Sequence, residues 1–290
     1  MSTSNYDIVV FGASSFVGKI LCNYLAHQCT GESFSWAIAG RSREKLDLLK
    51  AELGSAGTSV PTIVADASDE QALTSMCNQT RVVISTVGPY ALYGESLVKV
   101  CAQSGTDYCD LTGEPQWIKR MITLYEEDAR KSGARLVPSC GFDSIPSDLG
   151  VHYLQQLAEK RFGQHCNKIR MGLKSMKGTF SGGTVASMIN GAKEAVANKT
   201  VRKELSDPYS ICPQDHEFTV RQHNIKLEYD SDFKSWVTAF IMAVINIRIV
   251  HRSNALSGYA YGKDFRYTEG TLTGDGAKGK RRGRLLGFAR

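Results

Sequence analysis

Hydrophobic and polar residues alternate between two patterns along the first half of the chain. Short, nearly continuous apolar runs predict buried strands, and between them apolar residues recur at the three- and four-residue spacing of helices. The first pair is a strand in YDIVVFG and a helix in FVGKILCNYLAHQ, whose apolar residues are Phe16, Val17, Ile20, Leu21, Tyr24 and Leu25. Further strands are predicted in SWAIAG, SVPTIVAD, RVVISTVG, DYCDLTG and ARLVPSCG.

Helical patterns lie between these strands, in SREKLDLLKAEL, DEQALTSMCNQ, GESLVKVCAQSG and EPQWIKRMITLYEEDARKSG. The connections are short, so the strands are expected to form a parallel sheet covered by helices on both faces. The fold class predicted is α/β, a Rossmann-type doubly wound parallel sheet. By analogy with that fold we expect the strand order 3-2-1-4-5-6.

The second half predicts a smaller, mixed α/β domain. The segment NKIRMGLKSMKG alternates like a strand, and SGGTVASMINGAKEAVAN has the pattern of a helix. The most apolar run, WVTAFIMAVINIRIV, is expected to be one buried helix. It contains Asn246 and Arg248 and is too short and too polar to span a bilayer. We place the domain boundary after residue 148, giving domains 1–148 and 149–290.

The 290 residues are 42% hydrophobic, which is enough for one large or two smaller cores. Eight cysteines occur without a CxxC pair or a Cys/His spacing typical of metal sites. They are expected to be reduced thiols, which favours a cytoplasmic protein without bound metal. The polar N-terminus shows no charged-then-apolar leader, so a secretory signal is not predicted.

The net charge of +6 is concentrated towards the C-terminus. From Arg248 to Arg290, basic residues outnumber acidic ones by 10 to 3. The last stretch, GDGAKGKRRGRLLGFAR, predicts a solvated, mobile terminus, with contact to nucleic acid or anionic lipid as the alternative. Basic and aromatic residues are not interleaved elsewhere, so no nucleic-acid partner is predicted.

The first candidate site is the turn GASSFVG, at the end of the first predicted strand. It comprises Gly12, Ala13, Ser14, Ser15, Phe16, Val17 and Gly18. Gly12 permits the tight turn, and Gly18 lets the helix lie close to the sheet. The helix N-terminus then offers free N–H groups and a positive dipole end to a pyrophosphate. Ser15 replaces the usual second glycine, and we expect its hydroxyl to donate to a phosphate oxygen. The strand–turn–helix context predicts dinucleotide binding.

The end of the second strand favours NADP over NAD. A fold that prefers NAD has an acidic residue here, which binds the ribose hydroxyls. In this chain Gly40 is followed by Arg41, Ser42 and Arg43. A guanidinium group suits a 2′-phosphate, whereas the alternative is that both arginines are ordinary surface residues in the first turn of a helix.

Two more segments follow strands three and four. Asp66 is expected either to contact the adenine edge or to cap the next helix. Val87, Gly88 and Pro89 follow strand four, where the chain passes the nicotinamide side, and are expected to contact the cofactor. Tyr90 comes next and could donate a proton, but a packed turn aromatic is the alternative.

Carboxylates follow strands five and six. Asp110 and Glu114 follow the fifth strand, and Asp143 and Asp148 follow the sixth. Asp148 also suits the first turn of a helix starting near Ser147. Carboxylates on one rim can carry out acid–base chemistry when their pKa values are separated. Tyr90, Asp110 and Asp143 are therefore the predicted catalytic residues. No GxSxG or P-loop motif suggests a hydrolase or a kinase.

These segments together resemble the saccharopine dehydrogenase-like oxidoreductases. The resemblance rests on FGASSFVGK, AGRSREKL, STVGPYALYGE, DYCDLTGEPQW and GFDSIPSDLG, and continues more weakly through KGTFSGGTVASM. The family includes trans-acting enoyl reductases of glycolipid assembly and lipid-droplet-associated relatives. The resemblance implies an NADP-binding domain followed by a substrate and dimerisation domain. It also implies a closing C-terminal segment, so we expect the second domain to be C-terminally incomplete.

The resemblance implies an NADP-dependent oxidoreductase that reduces an enoyl or related lipid-type substrate. An amino-acid imine is the second choice, because saccharopine reductases typically have proline where Ser144 follows Asp143. A non-catalytic, cofactor-binding protein at a lipid surface is a further alternative, motivated by the apolar run and the basic tail. A homodimer and peripheral membrane association are also expected.

Overall fold

The computed structural model describes residues 5–29, 34–178 and 181–288, and the chain forms two compact units. Unit 1 contains the described residues up to 141 and the segment 181–194. Unit 2 contains residues 142–178 and 195–288. This division differs from the predicted boundary after residue 148. Residues 142–148 group with the helix that follows them, and a distant segment completes the first unit.

Unit 1 is a parallel sheet of six strands in the order β3-β2-β1-β4-β5-β6, as predicted. Its elements are β1 (Tyr6–Phe11), α1 (Phe16–Gln28), β2 (Trp36–Gly40), α2 (Arg43–Glu52), α3 (Ser55–Thr58), β3 (Thr62–Val64), α4 (Glu70–Cys77), β4 (Thr80–Ser85), α5 (Tyr90–Tyr93), α6 (Glu95–Ser104), β5 (Asp107–Asp110), α7 (Pro115–Ser132) and β6 (Leu136–Val137). The short helices α3 and α5 were not predicted.

The centre of this sheet is apolar because its strands are covered on both faces. Val10 of β1 is fully buried and pairs with Ile38 on β2 and with Ile84 on β4. Leu25 of α1 and Leu46 of α2 pack in the same core cluster. Because parallel strands end at one edge, this packing brings the predicted rim segments of β1, β2, β4 and β5 to that edge.

Unit 2 is built on a mixed four-stranded sheet in the order β7-β10-β9-β8, with β7 parallel to β10 and the other pairs antiparallel. Its elements, with the helix that precedes them, are α8 (Ile145–Phe162), β7 (Lys168–Leu173), α9 (Gly182–Ala197), α10 (Lys199–Ser206), β8 (Leu227–Asp230), β9 (Ser235–Ala239), α11 (Ala243–Leu256), β10 (Arg266–Gly274) and α12 (Gly276–Phe288). Residues 182–194 of α9 belong to unit 1. Val151, Val250 and Tyr267 form part of the core that joins α8, α11 and β10.

The prediction of one buried helix in WVTAFIMAVINIRIV was wrong. The run contains most of β9 and the first part of α11, with a turn between them. A continuous apolar run does not distinguish a buried strand from a buried helix, which explains the error. Asn246 and Arg248 are nevertheless buried, and the Asn246 amide donates to Glu269 Oε2 at 2.9 Å.

The prediction of a mobile basic terminus was also wrong, since residues 276–288 form helix α12. A Cβ atom on Gly279 would overlap the backbone of Gly274, and one on Gly283 would overlap Leu227. The helix therefore lies against the sheet through glycine backbone rather than through apolar side chains. Ala289 and Arg290 of the predicted tail, and Thr179 and Phe180 of the KGTFSGG motif, lie outside the described residues. Within the described ranges, no helix has the length and apolarity needed to cross a bilayer.

Candidate cofactor site

The turn between β1 and α1 requires both of its glycines. Gly12 has a φ of +84°, and a Cβ atom there would lie 2.6 Å from Val87 Cγ2. A Cβ atom on Gly18 would lie 2.7 Å from the carbonyl oxygen of Ala13. Both distances are shorter than a Cβ atom tolerates, so these positions hold the turn and the helix close together, as the sequence predicts.

The Ser15 hydroxyl caps helix α1. The Gly18 N–H donates to Ser15 Oγ at 3.0 Å, and Ser15 Oγ lies 2.9 Å from Thr86 Oγ1. Thr86 donates its own proton to the carbonyl oxygen of Gly12 at 2.9 Å. The Ser15 proton is therefore directed at Thr86. This arrangement differs from the expected hydroxyl donation to a phosphate, and no pattern in the sequence links Ser15 to Thr86.

Backbone donors at the start of α1 remain for an anion. The N–H groups of Phe16 and Val17 have no hydrogen-bond partner in the part of the chain that is described. They precede the first intrahelical bond and lie at the positive end of the helix dipole. The Ala13 N–H is already bonded to the Ala39 carbonyl oxygen at 3.1 Å, and Ser14 is half-buried. The turn can thus bind a phosphate group through main-chain atoms.

The exposed guanidinium group of Arg41 follows β2. Arg41 is exposed and makes no hydrogen bond or ion pair with any described residue. Ser42 instead caps α2, accepting the Lys45 N–H at 3.3 Å. Arg43 Nε lies 3.5 Å from Asp47, one turn along the same helix. Arg41 is therefore better placed than Arg43 to bind a phosphate.

Asp66 does not cap the next helix. Its carboxylate accepts the Ser68 hydroxyl at 2.6 Å and the Ser68 N–H at 2.9 Å. These bonds lower the pKa of Asp66, and the nearby charge of Arg41 contributes to the same direction. The cap of α4 is Asp69, which accepts the N–H groups of Gln71 and Ala72.

The segment after β4 lies beside the glycine turn. Val87 is half-buried against Gly12, Gly88 is exposed, and Pro89 immediately precedes α5. Since β4 pairs directly with β1, this segment borders the same rim as the β1–α1 turn.

Tyr90 is a packed turn residue, which was the alternative interpretation of the sequence. Its hydroxyl donates to the Ser85 carbonyl oxygen at 3.0 Å and accepts the Leu111 N–H at 3.4 Å. The ring lies 5.5 Å from that of Trp117, and burial raises the pKa of the phenol well above its usual range. In this structure the Tyr90 proton is bonded to the sheet, and its role as a proton donor stays a prediction.

Asp110 also has a structural environment. Its carboxylate is 2% exposed and accepts the Tyr108 hydroxyl at 2.7 Å, the Thr112 N–H at 2.9 Å and the Ser139 N–H at 2.8 Å. Burial raises the pKa of Asp110 to about 6. The carboxylate fixes the backbone that follows β5 and β6. Asp110 therefore orders the rim, and its role as a catalytic residue stays a prediction.

Glu114 connects three elements of unit 1. Its buried carboxylate accepts the N–H groups of Tyr90 and Ala91 at 2.9 and 3.0 Å, which caps α5. It also accepts the Ser187 hydroxyl of α9 at 2.8 Å. Sequence patterns place Glu114 on the rim, but they could not pair it with a serine 73 positions away.

Two of the predicted acidic residues belong to unit 2. Asp143 is exposed, and its carboxylate has no hydrogen-bond partner within the described chain. Asp148 lies in the first turn of α8, as predicted, and this helix begins at Ile145. It accepts the Ser253 hydroxyl at 2.9 Å, and burial raises its pKa. Across the described residues, no group of three His, Cys, Asp or Glu side chains could hold a metal ion.

Comparison with known families gives a match to the N-terminal half of the chain. Residues 8–137 match the family described as saccharopine dehydrogenase NADP binding domain. The matched segment begins in β1 and ends with β6, so it covers the whole six-stranded sheet apart from its first residues.

Curated relatives match over most of this chain. A Mycobacterium tuberculosis protein, named as a candidate trans-acting enoyl reductase, is 41% identical over 277 residues. That alignment covers 91% of this chain and 64% of the relative. A trans-acting enoyl reductase of Mycobacterium bovis is 38% identical over 278 residues, covering 91% of this chain and 65% of the relative. This chain therefore spans slightly less than two thirds of the length of these relatives.

Among solved structures, apo saccharopine dehydrogenase (L-Glu forming) from Saccharomyces cerevisiae aligns with a TM-score of 0.43 and 21% identity. The alignment covers 53% of this chain and 32% of the yeast chain.

Proposed function

Because this chain belongs to the saccharopine dehydrogenase-like family, we propose that it is a reductase that uses NADPH to reduce an enoyl or related lipid-type substrate. NADP is the cofactor that the matched domain family binds. The names of the relatives support an oxidoreductase and suggest the enoyl substrate class.

The observation that carries the proposal is a set of donors on one sheet edge that have no hydrogen-bond partner among the described residues. The N–H groups of Phe16 and Val17 follow β1, and the Arg41 guanidinium follows β2. These strands are neighbours in the sheet, and both end at the same edge. Main-chain N–H groups suit a pyrophosphate, and a guanidinium suits the 2′-phosphate that distinguishes NADP from NAD.

When bound, NADPH supplies the hydride for the reduction. Gly12 and Gly18 let the backbone approach the pyrophosphate, and Val87, Gly88 and Pro89 border the same rim on the β4 side. Glu114 keeps α5 and α9 in position through its three hydrogen bonds. Tyr90, Asp110 and Asp143 remain the candidate proton donors, and of these three the Asp143 carboxylate is exposed and has no hydrogen-bond partner among the described residues.

Helix α9 supports the lipid-type substrate. No residue of this helix is fully buried, and Val185, Met188 and Ile189 are 44%, 47% and 52% exposed. Ser187 of the same helix is bonded to Glu114 on the rim of unit 1. The apolar side chains are thus attached to the rim and free to contact an acyl chain.

Titration of the protein with NADPH, followed through nucleotide fluorescence, tests the cofactor proposal. We expect saturable binding that is tighter than the binding of NADH, and absence of saturation would contradict it. Oxidation of NADPH is then followed with an enoyl thioester and, separately, with a 2-oxo acid plus an amine. Turnover with the enoyl thioester supports the proposal. Turnover only with the second mixture would support the imine alternative.

A non-catalytic protein at a lipid surface is the second candidate. Phe16, Ile20 and Tyr24 form a stripe on α1 and are 71%, 56% and 56% exposed. Such a stripe suits a membrane surface or the homodimer expected from sequence. Flotation with anionic liposomes at low salt measures membrane binding, and size-exclusion chromatography measures dimerisation. Both are applied to the original protein and to Ile20→Asp. No liposome binding and no change in elution would count against both.

A further inference from the structure

Unit 2 contains a cleft between the β8–β9 turn, the end of β10 and helix α12. Its volume is about 800 Å³, within the range of about 300–1,000 Å³ typical of small-molecule sites. The lining combines three cationic side chains with four large apolar ones. The cationic residues are Lys174, Lys234 and Arg282, and the apolar residues are Phe233, Leu272, Leu285 and Leu286.

The three cations have no acidic partner in the described chain. No ion pair or hydrogen bond joins Lys174, Lys234 or Arg282 to a carboxylate within residues 5–29, 34–178 and 181–288. The two acids at the turn, Asp230 and Asp232, are both paired with Arg170. The cleft therefore carries uncompensated positive charge, which attracts an anion.

The apolar part of the lining is open to solvent. Leu285 is 72% exposed, Leu286 is 46% exposed and Phe233 is 37% exposed. Exposed apolar side chains beside cations suit a ligand that has both an apolar chain and an anionic group. A ligand that was only an anion would leave the leucines in water, and an uncharged one would leave the cations unpaired.

The cleft is held in shape before any ligand binds. The Asp230 carboxylate accepts the N–H groups of Asp232 and Phe233 at 2.9 and 3.0 Å. These bonds fix the turn in which Lys234 adopts a φ of +49°. On the other side, Gly279 and Gly283 hold α12 close to the sheet, and Arg282 and Leu286 of this helix line the cleft. A preformed site loses less conformational entropy on binding.

We propose that this cleft binds a single-chain anionic amphiphile, such as a fatty carboxylate. The anionic head lies among Lys174, Lys234 and Arg282, and the chain lies against Leu272, Leu285 and Leu286. All these residues belong to unit 2, so this site shares no residue with the NADP site proposed in unit 1.

Calorimetric titration of the full chain with dodecanoate below its micelle concentration tests the proposal. We expect saturable binding at one site. Acetate, which has the charge without the chain, and monolauroylglycerol, which has the chain without the charge, are each expected to bind at least tenfold more weakly. Equal binding of monolauroylglycerol, or no saturation by dodecanoate, would overturn the proposal.

The variants Lys234→Glu/Arg282→Glu and Leu286→Asp should each weaken dodecanoate binding at least tenfold. Arg281→Glu is the matched control, because it removes a cation from the same helix outside the lining, and it should change binding less than threefold. Circular dichroism confirms that each variant is folded. If the protein binds phosphatidylglycerol vesicles but not dodecanoate, the cationic residues contact a membrane surface, and the proposal is overturned. The same variants are titrated with NADPH, so that loss of dodecanoate binding is distinguished from loss of cofactor binding.

Discussion

The side-chain oxygens of Ser15 and Thr86 lie 2.9 Å apart and join the β1–α1 turn to the end of β4. Thr86 in turn donates to the Gly12 carbonyl oxygen. One chain of hydrogen bonds thus runs from the N-terminus of α1, through two hydroxyls, back to the glycine that begins the turn. The nucleotide contact that we propose at this turn is therefore assigned to its main-chain groups.

Replacing Ser15 by glycine should leave NADPH affinity within threefold of the original, because the hydroxyl proton is directed at Thr86. Loss of the helix cap should cost a few tenths of a kcal/mol with glycine and about 1 kcal/mol with alanine. Fluorescence titration and denaturant unfolding of Ser15→Gly and Ser15→Ala measure the two effects. A tenfold loss of affinity at unchanged stability would show instead that the hydroxyl contacts phosphate.

Gly18→Ala should weaken NADPH binding at least tenfold and lower the free energy of unfolding by about 1–3 kcal/mol, because the new methyl group would press on the Ala13 carbonyl oxygen. Gly150→Ala in α8 is the control, since a Cβ atom there meets nothing within 4 Å. The control should raise stability by about 0.5–1 kcal/mol and leave NADPH binding unchanged. Equal effects of both substitutions would contradict the close approach at Gly18.

Arg41→Ala should weaken NADPH binding at least tenfold and NADH binding less than threefold, because only NADPH carries the 2′-phosphate. A charge-assisted hydrogen bond of about 1.5–3 kcal/mol accounts for a loss of this size. Arg81→Ala removes an exposed arginine that pairs with Asp7, and it serves as the control. Equal losses for the two nucleotides would remove Arg41 from the 2′-phosphate site.

Asp110→Ala should lower the free energy of unfolding by about 2–4 kcal/mol, since the Tyr108 hydroxyl and two backbone N–H groups would lose their acceptor. Asp110→Asn retains an acceptor oxygen for the backbone groups and should cost less. Denaturant unfolding at pH 7 checks the order. If Asp110→Asn instead abolishes turnover while stability and NADPH binding stay intact, the carboxylate has a catalytic role after all.

His251 should make unit 2 less stable in acid. Both ring nitrogens lack a hydrogen-bond partner among the described residues, and burial lowers the pKa of the imidazole to about 3. The unfolded chain, with an ordinary pKa near 6.5, binds the proton first, so stability falls as the pH drops from about 6.5 towards 3. Between pH 7 and pH 4.5 the loss from this group is roughly 2–3 kcal/mol.

His251→Phe isolates that effect, because the ring already lies among Tyr209, Phe218 and Phe265 at centroid distances of 5.0, 5.2 and 5.9 Å. The difference in unfolding free energy between pH 7 and pH 4.5 should be smaller in the variant. Asp110 also titrates in this range, because its pKa is raised to about 6 in the folded protein. It is present in both proteins, so its contribution to the pH dependence cancels in the comparison. An unchanged pH dependence would contradict a buried neutral His251.

The parts of the site that sequence predicts are those set by local sterics. Gly12 and Gly18 follow from their place between a strand and a helix, and the absence of an acid after Gly40 is visible without coordinates. For Tyr90 the sequence left a proton donor and a packed turn residue as alternatives, and it did not predict the hydrogen bonds of Asp110. The sequence does not show whether a polar side chain is hydrogen-bonded. Here the partners of Tyr90 and Asp110 include backbone atoms at the ends of neighbouring strands.

Two features that were not predicted from the sequence, helix α12 and the Glu114–Ser187 hydrogen bond, each have a physical explanation. Helix α12 contacts its sheet through Gly279 and Gly283, so its inner face lacks the apolar side chains that reveal a helix by periodicity. The Glu114–Ser187 bond depends on a segment that rejoins unit 1 after an excursion of about forty residues.

That excursion has a consequence for how the protein is made. A ribosome releases the strands of the six-stranded sheet long before it releases Ser187, and N-terminal domains generally fold first. Until residues 181–194 emerge, the nascent sheet carries a Glu114 carboxylate that has not yet received the serine hydroxyl. Unit 1 therefore reaches its final form only after part of unit 2 has been synthesised. A chain that stops at residue 141 would lack the part of α9 that completes unit 1.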